Sequence, residues 1–289
     1  MTQTKILISG ATGNVGTQLV KQLAALNISF KALVRNNDNS ELLKSLPQAE
    51  IIIGDLADES ALVDAMQGIE KAFLLTNSSE QAEQLQLNFV HAAHRAGVKH
   101  LIKLSQFAAD ENSPVRFLRY HARVENKIKE LGLNYTFLRP NLYMQGLIGF
   151  KDYIKNDGNF YAAVGNAAIS AVDIRDIAAV AAKVLTETGH ENKIYTITGK
   201  EAITHTQMAE IFSRVLGREI RFIDVAPDQM EGAVRAAGFP EWQVGGLIED
   251  YAHYARGEAA VAYHTISEVT NVEPIGFEQF VNDYKELFS

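Results

Sequence analysis

Ser9-Gly10-Ala11-Thr12-Gly13-Asn14-Val15-Gly16 lies between two segments of different period. Before it stands Lys5-Ile6-Leu7-Ile8, a short apolar run that reads as a first strand. After it comes Gln18-Leu19-Val20-Lys21-Gln22-Leu23, spaced as an amphipathic helix. Strand, glycine turn and helix make a pyrophosphate site. Glycine lets the backbone turn tightly and approach a ligand, and the helix N-terminus offers N–H groups and the positive end of its dipole. The spacing is Gly-x-x-Gly-x-x-Gly, not the Gly-x-Gly-x-x-Gly of the simplest dinucleotide fingerprint. On this reading Gly10 makes the turn, Gly13 admits the phosphates and Gly16 lets the helix pack on the sheet, with Thr12, Asn14 and Val15 completing the cradle. The alternative is an ordinary strand–helix turn that uses glycine for geometry alone.

Working outward, strands are expected at 4–9, 29–34, 50–53, 71–75, 98–104 and 134–138, and helices near 15–26, 39–46, 58–66, 80–96 and 114–131. This alternation predicts an α/β fold, a doubly wound parallel sheet. Ile51-Ile52-Ile53 and Leu101-Ile102-Lys103-Leu104 read as the continuous apolar runs of buried parallel strands. Gly97 and Gly132 stand where a helix closes before a strand, and Asp58 and Ser60 where one begins. After Pro140 the rhythm breaks. Gly158-Asn159-Phe160-Tyr161 reads as a turn into a short strand, 173–187 as a helix, and 193–198 as a strand added to the main sheet. From Thr204 the pattern is mostly helical, at 204–216, 227–237, 241–256 and 276–287. The domains drawn from this are 1–155 with 169–198, a Rossmann dinucleotide-binding domain, and 156–168 with 199–289, a smaller substrate-side lobe over the carboxyl ends of the strands.

The bulk composition narrows the function. The 289 residues suffice for a full α/β core, and the 47% hydrophobic and 21% charged fractions are ordinary globular values. A net charge of −8 argues against non-specific nucleic-acid or membrane-surface binding. With no cysteine there is no disulfide, thiolate metal site or cysteine nucleophile, which fits a reducing compartment. The eight histidines show no metal-binding spacing. The first strand begins by about the fourth residue, so no signal peptide is expected, and no apolar run approaches the roughly 20 residues that span a bilayer. A cytoplasmic protein is the expectation.

Ligands in open α/β sheets bind beyond the carboxyl ends of the strands, so residues there are the candidates. Arg35 ends the second strand, where an acid would bind the ribose hydroxyls of NAD and an arginine suits the 2′-phosphate of NADP; NADP(H) is therefore favoured over NAD(H). The alternative is a solvated loop arginine. Asp55 and the following N–H of Leu56 are candidates for the adenine edge, or Asp55 is a turn former. Thr76-Asn77-Ser78 after the fourth strand and Ser105-Gln106-Phe107 after the fifth are expected around the nicotinamide half. The basic residues Arg116, Arg119, Arg123, Lys127 and Lys129 read as a solvated helix face, diluted by Glu125 and Glu130.

With Leu33-Val34-Arg35-Asn36, Gly54-Asp55-Leu56, Ala96-Gly97-Val98-Lys99-His100, Tyr135-Thr136-Phe137-Leu138-Arg139-Pro140-Asn141-Leu142-Tyr143 and Val172-Asp173-Ile174-Arg175-Asp176-Ile177-Ala178 added to the glycine turn, the chain resembles the NmrA-like branch of the atypical short-chain dehydrogenases/reductases. It is similar to the bacterial NAD(P)H:quinone and triphenylmethane-dye reductases of that branch. The likeness covers most of the chain and is weakest beyond about residue 220.

Most of the wider superfamily carries a Tyr-x-x-x-Lys pair on the helix after strand 5; here Tyr120 is followed four residues later by Val124. Registered on Glu125, the lysine place falls on His121 and the tyrosine place on Phe117. The spacing Phe117, Val124, Ile128, Leu131 puts His121 on the inward stripe, toward the cofactor. A lone histidine on an apolar face is otherwise a satisfied core residue. His121, with Tyr120 and Ser105, is the candidate catalytic set, since histidine titrates near neutrality. The missing pair argues against ketone chemistry and sugar epimerisation. It suits hydride transfer to a flat acceptor that stabilises its own charge, a quinone or cationic dye. Gln106, Phe107, Asn141, Tyr143 and Met144 are the candidate acceptor contacts, and Phe160, Phe239 and Trp242 further pocket walls. The rival reading is a regulator that senses NAD(P) and binds a protein partner without turnover. Oligomeric state stays open, a homodimer through an exposed helical pair being one form such folds take.

Overall fold

The computed structural model describes residues 5–36, 38 and 40–289. Thr4 and Asn39, the expected first residues of a strand and a helix, lie outside the described residues.

In chain order the first half contains β1 (Ile6–Ser9), α1 (Asn14–Ala25), β2 (Phe30–Val34), α2 (Glu41–Ser45), β3 (Ala49–Ile53), α3 (Glu59–Ala65), β4 (Lys71–Leu74), α4 (Ala82–Arg95), β5 (His100–Leu104), α5 (Arg116–Glu130) and β6 (Asn134–Pro140). The second half contains a 3₁₀ segment (Met144–Phe150), α6 (Lys151–Asp157), β7 (Asn159–Ala162), β8 (Ala168–Ile169), α7 (Ile174–Thr186), β9 (Lys193–Ile197), β10 (Ile203–Thr204), α8 (His205–Leu216), β11 (Arg221–Asp224), α9 (Pro227–Ala236), α10 (Glu241–Ala255), α11 (Thr265–Thr270), α12 (Phe277–Asp283) and α13 (Lys285–Phe288). The main sheet runs β3-β2-β1-β4-β5-β6-β9. The strand order therefore reverses between β1 and β4, the place where such sheets open a crevice for a ligand.

Chain contacts divide the protein into two units. The first holds the described residues up to Ser113, with Leu118–Arg139 and Ile177–Tyr195; the second holds Pro114–Phe117, Pro140–Asp176 and Thr196–Ser289. Residues 140–155 and 169–176 thus go with the second unit, whereas the sequence division put them with the first. Their 3₁₀ segment and α6 carry Met144, Leu147 and Ile154 into that unit's core, and Ala171 joins them from just after β8.

In the first unit, sheet and helices close over Leu7, Leu74, Phe89, Leu101, Val124, Ile128 and Phe137. Each such side chain contributes roughly 2 kcal/mol by leaving water. Gly97 and Gly132 have φ of +73° and +68°. They occupy the left-handed position after a helix, the role read for them. Asp58 caps α3 by accepting from the Ala61 N–H at 3.0 Å. Lys71 on β4 donates to the carbonyls of Val184 (2.8 Å) and Glu187 (2.5 Å), neutralising the carboxyl end of α7.

In the second unit Phe160, Phe212, Phe280 and Phe288 form the core. β7 pairs with β11 in parallel, and β8 with β10 antiparallel. The sequence reading missed β11, since Arg221-Phe222-Ile223-Asp224 is mostly exposed and lacks the apolar run used to find strands. It also drew 276–287 as one helix, where the chain breaks at Tyr284 between α12 and α13. Phe160 is buried core, Trp242 packs 5.3 Å from Phe117, and Phe239 is exposed.

Two buried histidines set an acid limit on stability. Burial pushes His100 and His205 each down to about 4. In the unfolded chain they take up protons near the ordinary value of about 6.5. The unfolded state therefore binds more protons between those two values, so stability falls as pH drops through that window and this contribution is flat below it. Thermal melts from pH 7 to 4 are expected to show Tm falling across the window; a constant Tm would contradict the assignment.

Candidate active site

The glycine turn is built by exclusion. Gly10 has φ +66°, and a Cβ there would meet Leu75 O and Cγ at 2.8 Å. Ser9 makes that approach: its hydroxyl donates to Leu75 O (3.0 Å) and accepts from Leu75 N–H (2.9 Å), tying the end of β1 to the end of β4. A Cβ on Gly16 would sit 2.0 Å from Gly10 O and 2.9 Å from Ala11 Cα. Gly16 therefore brings the first turn of α1 onto the loop itself, a refinement of its expected role in packing helix on sheet. Gly13 is the N-cap of α1, and no side chain caps that end. Thr12, Gly13 and Asn14 are exposed there and Val15 is buried beneath them. The first-turn N–H groups have no intrahelical acceptor, and no acid occupies the turn. An anion is the partner such an end lacks.

The neighbouring strand ends differ in what they offer. Arg35 is exposed directly after β2, and among the described residues takes no carboxylate partner. Asp55 accepts from Ala57 N–H at 2.9 Å, forming a turn of its own after β3 with Leu56 half-buried beside it. After β4, Thr76 is half-buried and its hydroxyl accepts from Gln86 Nε2 at 2.8 Å. Asn77 is exposed, and Ser78 Oγ lies 3.2 Å from the Tyr120 hydroxyl.

Beyond β5 lies a feature the sequence reading missed. Lys103, placed within an apolar run, is fully buried, and its Nζ is 2.6 Å from Nδ1 of His121 on α5. Glu125, taken as diluting a solvated basic face, is 1% exposed. It accepts from Ser105 Oγ (2.5 Å) and from Arg139 Nε (3.0 Å) and Nη2 (2.5 Å). The inward side of α5 thus carries His121 and Glu125 among Val124 and Ile128. Burial first, then the charges of Lys103 and Arg139, hold His121 neutral, well below its ordinary range. Burial, with Arg139 adding and Glu125 opposing, pushes Lys103 down to about 7. Apolar period finds the face of α5 but not the partners, because Lys103 and Arg139 come from other strands. The rest of the basic face is paired: Arg123 with Glu83 and Lys127 with Glu130, while Lys129 lies over the rings of Tyr135 and Phe137.

The acceptor candidates fall in both units. Gln106 is half-buried and Phe107 buried, in the first unit. Asn141, in the second, donates to Ser170 Oγ (2.8 Å) and the Ala259 carbonyl (3.0 Å), which commits its amide to that unit's own structure. Tyr143 and Met144 line a small second-unit pocket with Phe150, Tyr161, His205 and Tyr251. Among the described residues no three histidines, aspartates or glutamates are grouped to hold a metal, and no helix is long and apolar enough to cross a membrane.

Removing Glu125 leaves Arg139 with its charge unpaired. Glu125→Leu is expected to cost about 3 kcal/mol, the low end for a buried pair broken from one side, since Arg139 keeps 21% of its side chain exposed. Glu125→Gln, which retains acceptor and donor groups, should cost less. Urea denaturation of both variants checks the order and the size.

The sequence model of the NmrA-like family matches residues 2–279. The NAD(P)H azoreductase of Xenophilus azovorans is 31% identical over 283 residues, 98% of this chain and 99% of that protein. The structure of an NADPH-dependent quinone oxidoreductase from Escherichia coli, complexed with NADPH, superposes with a TM-score of 0.88 at 27% identity, covering 98% of this chain and 100% of that one. The triphenylmethane reductase of Citrobacter sp., complexed with NADP(H), gives 0.87 at 26% identity, covering 96% and 99%. The glycine turn, the seven-stranded sheet and the matched length agree: this chain belongs to the NmrA-like family.

Proposed function

We propose that this chain is an NADPH-dependent reductase of flat, conjugated small-molecule acceptors, quinones, azo compounds or cationic dyes. The observation that carries the reading is the tight, uncapped turn from Gly10 to Gly16 at the point where the strand order reverses. Gly10 and Gly16 admit no Cβ, and no acid stands in the first turn of α1. The names of the azoreductase, quinone and dye reductase relatives support the same class.

When bound, NADPH supplies a hydride from its nicotinamide ring. The N–H groups of Thr12, Asn14, Val15 and Gly16 would hold the phosphates, while Gly13, whose N–H closes the turn on the Gly10 carbonyl at 3.0 Å, would let them approach. Arg35 would meet the 2′-phosphate, while Asp55 and Leu56 would border the adenine. Thr76, Asn77, Ser78 and Ser105 would border the nicotinamide half. His121, with Tyr120 beside it, would face the ring and the acceptor, where a neutral imidazole can donate a proton as negative charge develops. Gln106 and Phe107 of the first unit would supply polar and aromatic contact to the acceptor; Tyr143 and Met144 line the second unit's own pocket, and Asn141 is committed to that unit's structure.

Oxidation of NADPH against a panel of quinones, azo dyes and triphenylmethane dyes tests the reading, with NADH in parallel. Turnover is expected, with NADPH preferred. Arg35→Ser should lower kcat/KM for NADPH about ten-fold while leaving NADH nearly unchanged, the size of one lost charge-assisted hydrogen bond. Tight NADPH binding with no oxidation by any acceptor would instead favour the sensing role.

A further inference from the structure

Lys103 and His121 form a pair that the glycine turn and the fold do not require. A lysine at the centre of a parallel sheet is costly, because an ammonium has three donors and no water to accept from it. Here Nζ meets Nδ1 of His121 at 2.6 Å and the Leu104 carbonyl at 3.3 Å. An ammonium can only donate, so Nδ1 must be the acceptor, and the neutral ring carries its hydrogen on Nε2. The charged and titratable groups facing the pair come from three elements: Lys103 on β5, Glu125 and Tyr120 on α5, and Arg139 on β6. Glu125 is held by Ser105 and Arg139. It therefore acts on Lys103 as a nearby charge and not as its hydrogen-bond partner.

We propose that Lys103 is a positioning residue that locks His121 as an Nε2–H donor and returns the proton that His121 gives to the reduced acceptor. The step rests on the reductase reading. Two electrons and one hydrogen reach the acceptor as hydride from the reduced nicotinamide, leaving negative charge on an acceptor oxygen or nitrogen. The Nε2–H bond breaks and its proton goes to that atom. A proton from Lys103 Nζ forms the new Nδ1–H bond, so the ring stays neutral in its other tautomer. Once product leaves, Nε2 takes a proton from solvent and Nδ1 gives its proton back to the Lys103 amine, which restores the ammonium and the Nε2–H ring. Burial, which pushes Lys103 down to about 7, eases the release of its proton.

The test is two-part and uses the full chain. Nitrogen-15 spectra of histidine-labelled protein, without cofactor, report the tautomer directly. At pH 6 wild-type His121 is expected as the Nε2–H form with Nδ1 accepting, and Lys103→Met should lose that fixed form and titrate closer to the ordinary range. An Nδ1–H ring in the wild type would overturn the lock, and this holds even if the variant fails to fold. In the second part, kcat of the wild type is expected to fall as pH rises through the region of 7. Lys103→Met should flatten that limb and lower kcat at least ten-fold, with KM for NADPH within about two-fold because Lys103 makes no cofactor contact in this account. An unchanged pH profile would overturn the proton return. A correct tautomer in a protein that oxidises NADPH with no acceptor would contradict the reductase reading and the proton return but leave the lock standing, so the failures are distinguishable.

Discussion

Between the ends of β1 and β4 there is no space for a side chain, and the first unit is arranged around that lack. Leu75 is pressed on Gly10 from one side by the Ser9 hydroxyl, and the first turn of α1 is pressed on it from the other through Gly16. Any residue but glycine at Gly16 would place a carbon 2.0 Å from a carbonyl oxygen, well inside contact distance. With the loop drawn in this far, α1 begins at Asn14 behind the N-cap Gly13, which has no side chain to cap the first-turn N–H groups.

The second constraint is electrostatic. β5 and α5 place two basic groups and one acid inside the first unit, with Arg139 reaching in from β6. The carboxylate of Glu125 is satisfied by Arg139 and Ser105, and the ammonium of Lys103 by His121 and a carbonyl. Each charge is paired or hydrogen-bonded, as a buried charge must be. Replacing such a cluster with apolar side chains of the same volume is often neutral or stabilising, so its presence is weak evidence of stabilisation.

Much of this was legible in the sequence. Six strands and the helices between them follow from apolar runs, because both faces of a parallel sheet are covered and its strands need no alternation. The strand at 193–198 was placed correctly on the main sheet, next to β6. The inward direction of His121 followed from helical period, and the structure buries it. What was not legible depends on contacts between segments far apart in sequence. Lys103 looks like an interruption of an apolar run until His121 is seen beside it. Glu125 looks like a surface acid until Arg139 arrives from the next strand. Asp55 closes its own turn, a local choice that its position after β3 does not reveal. The sequence division differs from the contact units at 140–155 and 169–176, where short elements serve the second unit's core.

The central claim is direct hydride transfer from a cofactor held in the glycine turn, and the most direct measurement follows the hydrogen itself. NADPH carrying deuterium at the transferred position of C4 would be reacted with a cationic triphenylmethane dye, whose central carbon keeps what it receives. The account predicts decolourised dye bearing deuterium on that carbon, formed more slowly than with unlabelled NADPH. Decolourised dye free of deuterium, or NADPH bound firmly with the dye unchanged, would contradict it.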